Sequence, residues 1–273
     1  VTVTCDEIME ESVFTGTLAS GGETYTILPK IKWNYRALMK QQQAVPITVT
    51  FTVEVGDEDE VEQSRTLTLR SVNDCPFTVV ENGEARDVSF MFAAYVNEQH
   101  PFVDKLLREA LNAGIVDSFT GYQLKDPVEV YRQAYAIWHA LSGRDLRYSD
   151  ITTTAAESDH VSSQHVRLLD ESVNNGQANC VDGSVLLRSV LRKVGIEPIL
   201  VMVPGHCYLA FYLDAEGKQI TALETTLIGS AAEEVTKIKG LKDAVSDEWR
   251  DENSWKTFTA AIAMGVADLE KNG

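Results

Sequence analysis

Hydrophobic and polar positions change their spacing near residue 88, and the chain reads as two patterns. Val1 to Cys5, Ser12 to Thr17, Thr24 to Leu28, Pro46 to Val55, Ser64 to Leu69 and Phe77 to Glu81 carry β-branched or alternating residues, the period of half-buried strands. Ser20-Gly21-Gly22 and Asn82-Gly83 supply turn chemistry, and the acidic run Glu54 to Glu62 reads as a solvated hairpin loop. These features predict an antiparallel β-sandwich-like domain over residues 1–87. From Val88 the period lengthens. Phe90 to Val96, Phe102 to Leu111 with Gly114 as its cap, and Pro127 to Leu141 present apolar faces at helical spacing. Ile151 to Val161, rich in Thr, Ser and Asp, reads as a long loop before a helix containing His165 and Leu168-Leu169. Ala231 to Ala244 and Trp255 to Lys271 are expected helices, with Asp251-Glu252-Asn253-Ser254 as the break between them. Residues 88–273 thus form a second domain, and the fold class is α+β.

The middle of this second domain is the most specific part of the pattern. Val181, Val185, Leu186, Val190, Leu191 and Val194 recur at helical spacing, and Gly195 follows as a C-cap. Glu197 to Val203 reads as a buried strand, Pro204-Gly205 as a turn or bulge, and Cys207 to Asp214 as a second strand that His206 begins. Ala215-Glu216-Gly217 suits a three-residue hairpin loop with Gly217 in the left-handed position. That loop pairs Asp214 with Lys218 and, counting back, Tyr208 with Glu224, so His206 and Glu224 fall on one face as diagonal neighbours. A slip of one residue would part them.

This pattern puts Cys180 at the start of a core-packed helix, after the loop Asn174-Asn175-Gly176-Gln177-Ala178-Asn179. A thiol is nucleophilic as the thiolate, and a helix N-terminus lowers its pKa from about 8.5 toward roughly 3.5 to 7.5. Asn179 is the candidate N-cap. The free N–H groups of the first turn point toward an oxyanion formed on a carbonyl attacked by Cys180, and Gln177 is a candidate second donor. Taken singly, Cys180 and His206 also read as packing and Glu224 as a solvated strand end. The order and spacing together single them out.

Asn179-Cys180-Val181-Asp182-Gly183-Ser184, Leu186-Leu187-Arg188, Gly195-Ile196 and Val203-Pro204-Gly205-His206 resemble a bacterial transglutaminase-like, papain-related domain over roughly residues 90 to 230. The resemblance implies an α+β fold with a triad spread over a helix N-terminus and the following antiparallel sheet. It assigns Cys180 as nucleophile, His206 as general base and acid, and Glu224 as the group that orients the imidazole. The chain departs from the family in offering Glu224 where Asp or Asn is usual, and Val181 where an aromatic residue often follows the cysteine in the animal enzymes. The implied reaction is acyl transfer on a peptide, protein or cell-wall peptide, with amide or isopeptide hydrolysis ahead of protein cross-linking. The alternative from another class is a non-catalytic extracellular or periplasmic binding module that keeps the fold.

Composition narrows the partners. At 273 residues, 44% hydrophobic and 24% charged, the chain can bury one large or two moderate cores. Its 41 Asp plus Glu against 24 Lys plus Arg leave a net charge of −17, which repels phosphate backbones and anionic membranes and argues against nucleic acid. No Walker loop, dinucleotide fingerprint or 18-residue apolar span occurs, and no Cys or His cluster has metal-ligand spacing, so neither cofactor nor metal is implied. Cys5 and Cys75 stand either as a bridge in an oxidising compartment or as two buried thiols, and Cys207 reads as packing. His165 lies upstream of Cys180 near the cleft but reads as structural, since no carboxylate spacing ties it to the thiol; His160 reads as a loop residue, His139 as interfacial packing and His100, before Pro101, as a helix boundary. Ile31-Lys32-Trp33-Asn34-Tyr35 reads as an aromatic pair packed between sheets or facing a polymer. The start Val1-Thr2-Val3 lacks Met and any charged leader-like segment, which leaves room for a leader already removed; the sequence leaves the location open, with periplasmic or extracellular favoured.

Overall fold

A computed structural model describes residues 1–150 and 158–272. Most of the loop expected over Ile151 to Val161 therefore lies outside the described residues. The chain is mixed α+β and divides into two compact units, one built on Val1–Asp74 and the other on the chain from Cys75 onward. The expected boundary at residue 87 differs because the hairpin that follows Asp74 contributes to the second core: Cys75 is buried there and Phe77 stacks on Phe92 at 6.5 Å.

The first unit contains β1 (Thr2–Thr4), β2 (Met9–Glu10), β3 (Ser12–Val13), β4 (Lys32–Trp33), the helix α1 (Tyr35–Lys40), β5 (Val45–Val53) and β6 (Val61–Leu69). Its sheet runs β3-β1-β5-β6, all antiparallel, and β2 pairs with β4 as a separate ribbon. β5 and β6 form a hairpin whose register starts at Val53↔Val61, which leaves the acidic run in the connecting loop and the adjoining strand ends. Val3, Cys5, Ile8, Met9, Ile47 and Val49 make one small core. Thr24 to Leu28 forms no strand, and Leu28 is exposed. Trp33 and Tyr35 are exposed as well, so they do not pack between sheets. Between them Asn34 accepts from Ala37 N at 3.2 Å and caps α1, a helix too short to show in the periodicity.

The second unit opens with the hairpin β7 (Asp74–Glu81) and β8 (Glu84–Asp87), turned by Asn82 and Gly83, both at positive φ as a type I′ turn requires. A 3₁₀ turn over Ser89–Tyr95 leads to α2 (Pro101–Asn112) and α3 (Pro127–Ser142). Each starts on a proline and is capped from the preceding side chain, His100 or Asp126. Then come β9 (Arg147–Tyr148), β10 (Val161–His165), α4 (Leu169–Asn175), β11 (Gln177–Ala178), α5 (Cys180–Lys193), β12 (Pro198–Val203), β13 (His206–Tyr212), β14 (Ile220–Leu223), α6 (Asp247–Arg250) and α7 (Asn253–Asn272). Residues 161–165 are a strand rather than the start of a helix, because β10 finds a partner in β7, far off in sequence. Ala231 to Ala244 is also not a helix. Only Leu241–Ala244 takes a 3₁₀ turn, behind Gly240 at φ 78°.

The main core lies between the helices and the β12-β13-β14 sheet. Tyr135 and Trp138 of α3 meet Trp255 and Phe258 of α7, with the Tyr135 and Trp255 rings edge-on at 4.9 Å. Each such buried aromatic contributes on the order of 1.5–3 kcal/mol. The register of β13 and β14, Leu209↔Leu223 through Tyr212↔Ile220, is the one that the three-residue loop dictates, with Gly217 at φ 67°. Asp214 closes that loop by accepting from Lys218 N and Gln219 N at 2.9 and 2.7 Å. Behind the sheet, α7 comes so close that a Cβ on Gly265 would stand 2.6 Å from Leu223 N and 2.7 Å from the Ala222 carbonyl carbon. Among the described residues no helix is long and apolar enough to cross a membrane.

Gly265→Val should therefore cost roughly 1–3 kcal/mol in urea unfolding. Its exposed neighbour should be a silent control, with Met264→Ala within about 0.5 kcal/mol of the unmutated chain. Equal unfolding midpoints for the two variants would show that the close approach of α7 is not needed.

Candidate active site

The loop before α5 is fixed at both ends. Gly176 ends α4 at φ 63°, and β11 then runs parallel to β9, pairing Gln177 with Arg147 and Ala178 with Tyr148. Asn179 caps α5: its Oδ1 accepts from Asp182 N at 2.9 Å while Asp182 Oδ2 accepts from Asn179 N at 3.0 Å. Asp182 is buried and also accepts from Arg167 N at 2.8 Å and Arg167 Nη1 at 2.7 Å. A buried carboxylate keeps its charge only with such partners. The other end closes in a Schellman motif, Ile196 N to Leu191 O and Gly195 N to Arg192 O, both 3.0 Å, with Gly195 at φ 82°. Cys180 is thus the first residue of a helix held rigid at both termini.

His206 and Glu224 come from the sheet. Pro204 and Gly205, the latter at φ 76°, turn β12 into β13 with Val203 opposite His206. Glu224 follows the last residue of β14, has no exposed surface, and takes His206 Nε2 on Oε2 at 2.6 Å. Its Oε1 accepts from Thr226 N at 2.9 Å and Thr226 Oγ1 at 2.7 Å, and its own N–H donates to Ala261 O at 2.9 Å. The 3₁₀ turn Thr225–Leu227 leans on α5, where Thr225 Oγ1 donates to Cys180 O at 3.3 Å. Gly183 permits that approach, since a Cβ there would stand 3.1 Å from Thr225 Oγ1.

Cys180 and His206 line one cleft of about 400 Å³, with Phe77, Phe92, Gln164 and Met202 among its walls. The backbone N–H of Cys207, the residue after His206, lies close enough to the Cys180 sulfur to favour its charged form. No hydrogen bond joins this sulfur to the His206 ring directly. The structure therefore brings His206 and Glu224 into contact and sets Cys180 on the same cleft.

No family model, curated protein or solved structure matches this chain. The expectation that the helix start lowers the Cys180 pKa is corrected: burial raises it above the ordinary thiol value. The N–H groups of Cys207 and Val181 pull the other way, and the Glu224 carboxylate adds to the rise. Burial thus favours the neutral thiol over the thiolate. His206 is held through Nε2 by Glu224, which leaves Nδ1 as its other ring nitrogen.

Gln177 is exposed on β11 and is not among the residues lining the cleft; the glutamine that lines it is Gln164 of β10. Neither Gln164 nor the Asp182–Arg167 pair stood out in the sequence, because their partners are brought in by β10. Tyr148 sits within the electrostatic reach of Cys180 and Glu224, carried there by the β9–β11 pairing. Cys207 is buried against α5, and burial pushes its pKa up to about 12. Cys5 and Cys75 are free thiols, each buried in the core of its own unit, so no bridge joins them. His139 bonds Ser254 Oγ at 2.9 Å and packs on Trp249, and His100 caps α2. His160 is an exposed residue next to β10, and His165 ends that strand. Among the described residues no cluster of three or more His, Cys, Asp or Glu is arranged to hold a metal ion.

The thiolate is the form that alkylates, and a raised pKa lowers its fraction at any given pH. Iodoacetamide should modify Cys180 before the three buried thiols, with a rate that climbs through a midpoint above the ordinary thiol value. A midpoint well below that value, read by mass spectrometry of the labelled peptides, would show a preformed thiolate instead.

Proposed function

We propose that the second unit is a papain-like, transglutaminase-like α+β domain that carries out thiol-dependent acyl transfer, with amide or isopeptide hydrolysis as its reaction. The first unit is its β-sandwich-like companion. The observation that carries this reading is the 2.6 Å hydrogen bond from His206 to a fully buried Glu224, on the cleft that also holds the helix-start thiol. A buried carboxylate spent on one partly open imidazole fixes the ring and stabilises it once protonated.

The steps follow from the residues. Cys180 Sγ attacks the scissile carbonyl carbon as its proton passes to His206 Nδ1. The oxyanion meets backbone N–H groups at the start of α5. As the carbon–nitrogen bond breaks, His206 returns the proton to the departing amine and a Cys180 thioester remains. Water then adds to the thioester with His206 again taking a proton, and collapse releases the acid and the thiol. Water, the ubiquitous small nucleophile, is the acceptor in this reading. A protonated resting thiol suits this general-base route.

A second reading is a non-catalytic binding module using the same cleft. It draws on the raised Cys180 pKa and on the lack of a direct Cys180–His206 bond.

A fluorogenic peptide library separates the two. With the full chain, cleavage should vanish in Cys180→Ala and fall about 10²- to 10⁴-fold in Glu224→Gln, which keeps the shape but not the charge. Cleavage that survives Cys180→Ala would sink the thiol mechanism. Peptide capture without turnover, unchanged in Cys180→Ala, would favour the binding module.

A further inference from the structure

One aromatic side chain beside the triad has no part in the steps above. Tyr208 stands two residues after His206 on β13, so strand alternation places both on one face. Its ring stacks on the imidazole, with centroids 6.2 Å apart and planes 28° apart. One step beyond the Leu209–Leu223 pair, the register brings Tyr208 level with Glu224. The ring thus backs both partners of the His206–Glu224 bond. Tyr208 has no exposed surface and packs with Ala210 and Ala222, with Val201 and Leu269 against the cluster.

A buried tyrosine ordinarily gives its hydroxyl a hydrogen-bond partner. Tyr208 Oη is buried with no partner among the described residues. The hydroxyl therefore does not account for the residue, and the ring does: it packs with two small residues, Ala210 and Ala222, beside His206. A single hydrogen bond to Glu224 leaves an imidazole free to swing about the Nε2–Oε2 line, and 31% of the His206 side chain is open. A near-parallel ring alongside it, with centroids 6.2 Å apart, limits that freedom.

We propose that Tyr208 is a positioning residue for His206, holding the imidazole flat so that Nε2 stays on Glu224 and Nδ1 faces the cleft that holds Cys180. This rests on the reading of Cys180, His206 and Glu224 as a triad. Tyr208 is not among the cleft-lining residues, so its effect falls on proton transfer and not on substrate binding.

Two variants of the full chain test it. Tyr208→Phe keeps the stacked face and drops only the unpartnered hydroxyl, so kcat, KM and urea resistance should all hold. Tyr208→Met keeps bulk without an aromatic face, and kcat should fall on the order of ten- to a hundredfold with KM nearly unchanged. A spectroscopic readout stands beside the kinetics. With ¹³C,¹⁵N-labelled histidine, the carbon-bound ring protons of His206, assigned by their loss in His206→Gln, should lie upfield of free histidine in the unmutated chain and in Tyr208→Phe. The Nε2–H resonance should persist in both and be lost in Tyr208→Met. Unchanged kcat in Tyr208→Met, a loss in Tyr208→Phe as large as in Tyr208→Met, or His206 ring protons at their free positions would each overturn the proposal. If Tyr208→Met does not fold, the ring-proton shifts of the other two chains decide. If the unmutated chain cleaves no peptide, the triad reading fails on its own, and the resonances still report whether Tyr208 holds the ring.

Discussion

A carboxylate with no exposed surface has to be satisfied on both oxygens, and around Glu224 that requirement organises the site. One oxygen meets His206 and the other meets the backbone and hydroxyl of Thr226. These contacts need the β13–β14 register to be correct to the residue, because a one-step slip turns every side chain to the opposite face. They also need the turn after β14 to close against α5 and α7. Gly183 admits Thr225 on one side, and Gly265 admits the strand backbone on the other. Two glycines on two helices thus let the helix-start thiol and the imidazole held by the buried acid line one cleft.

The electrostatics of the cleft follow from the same enclosure. Burial that keeps water from Glu224 and strengthens its bond to His206 also works against charge on Cys180. A helix N-terminus in open solvent would favour the thiolate. Here the apolar surround outweighs the two backbone N–H groups, and the neutral thiol is favoured. In the proposed mechanism the division of labour differs from that of a preformed ion pair: Glu224 would prepare the imidazole, and the imidazole would act on the thiol as the bond forms.

Where local chemistry sufficed, the pattern was legible in the chain. Asn179 caps α5, Gly195 ends it, and Gly217 sets a loop whose length alone fixes which residues of β13 and β14 face each other. Where the partner is remote, the pattern misled. Val161 to His165 is a strand because β7 pairs with it, and Cys75 and Phe77 join the second core although the strands before them belong to the first. Ala231 to Ala244 has helix-forming composition, yet its chain is largely irregular and holds only a short 3₁₀ turn.

The sequence by itself determined the order of chemical groups, the helix that begins at Cys180, and the parity that puts His206 and Glu224 on one face. Caps, turn lengths and the two-residue alternation of strands act over a few positions, so they can be read in one dimension. Only the tertiary structure decided that Glu224 is wholly buried, that Gln164 and not Gln177 lines the cleft, that Tyr208 lies against the imidazole, and that the Cys180 thiol is held up and not down. Each of these depends on how many atoms from distant segments crowd one group, and no local spacing carries that number.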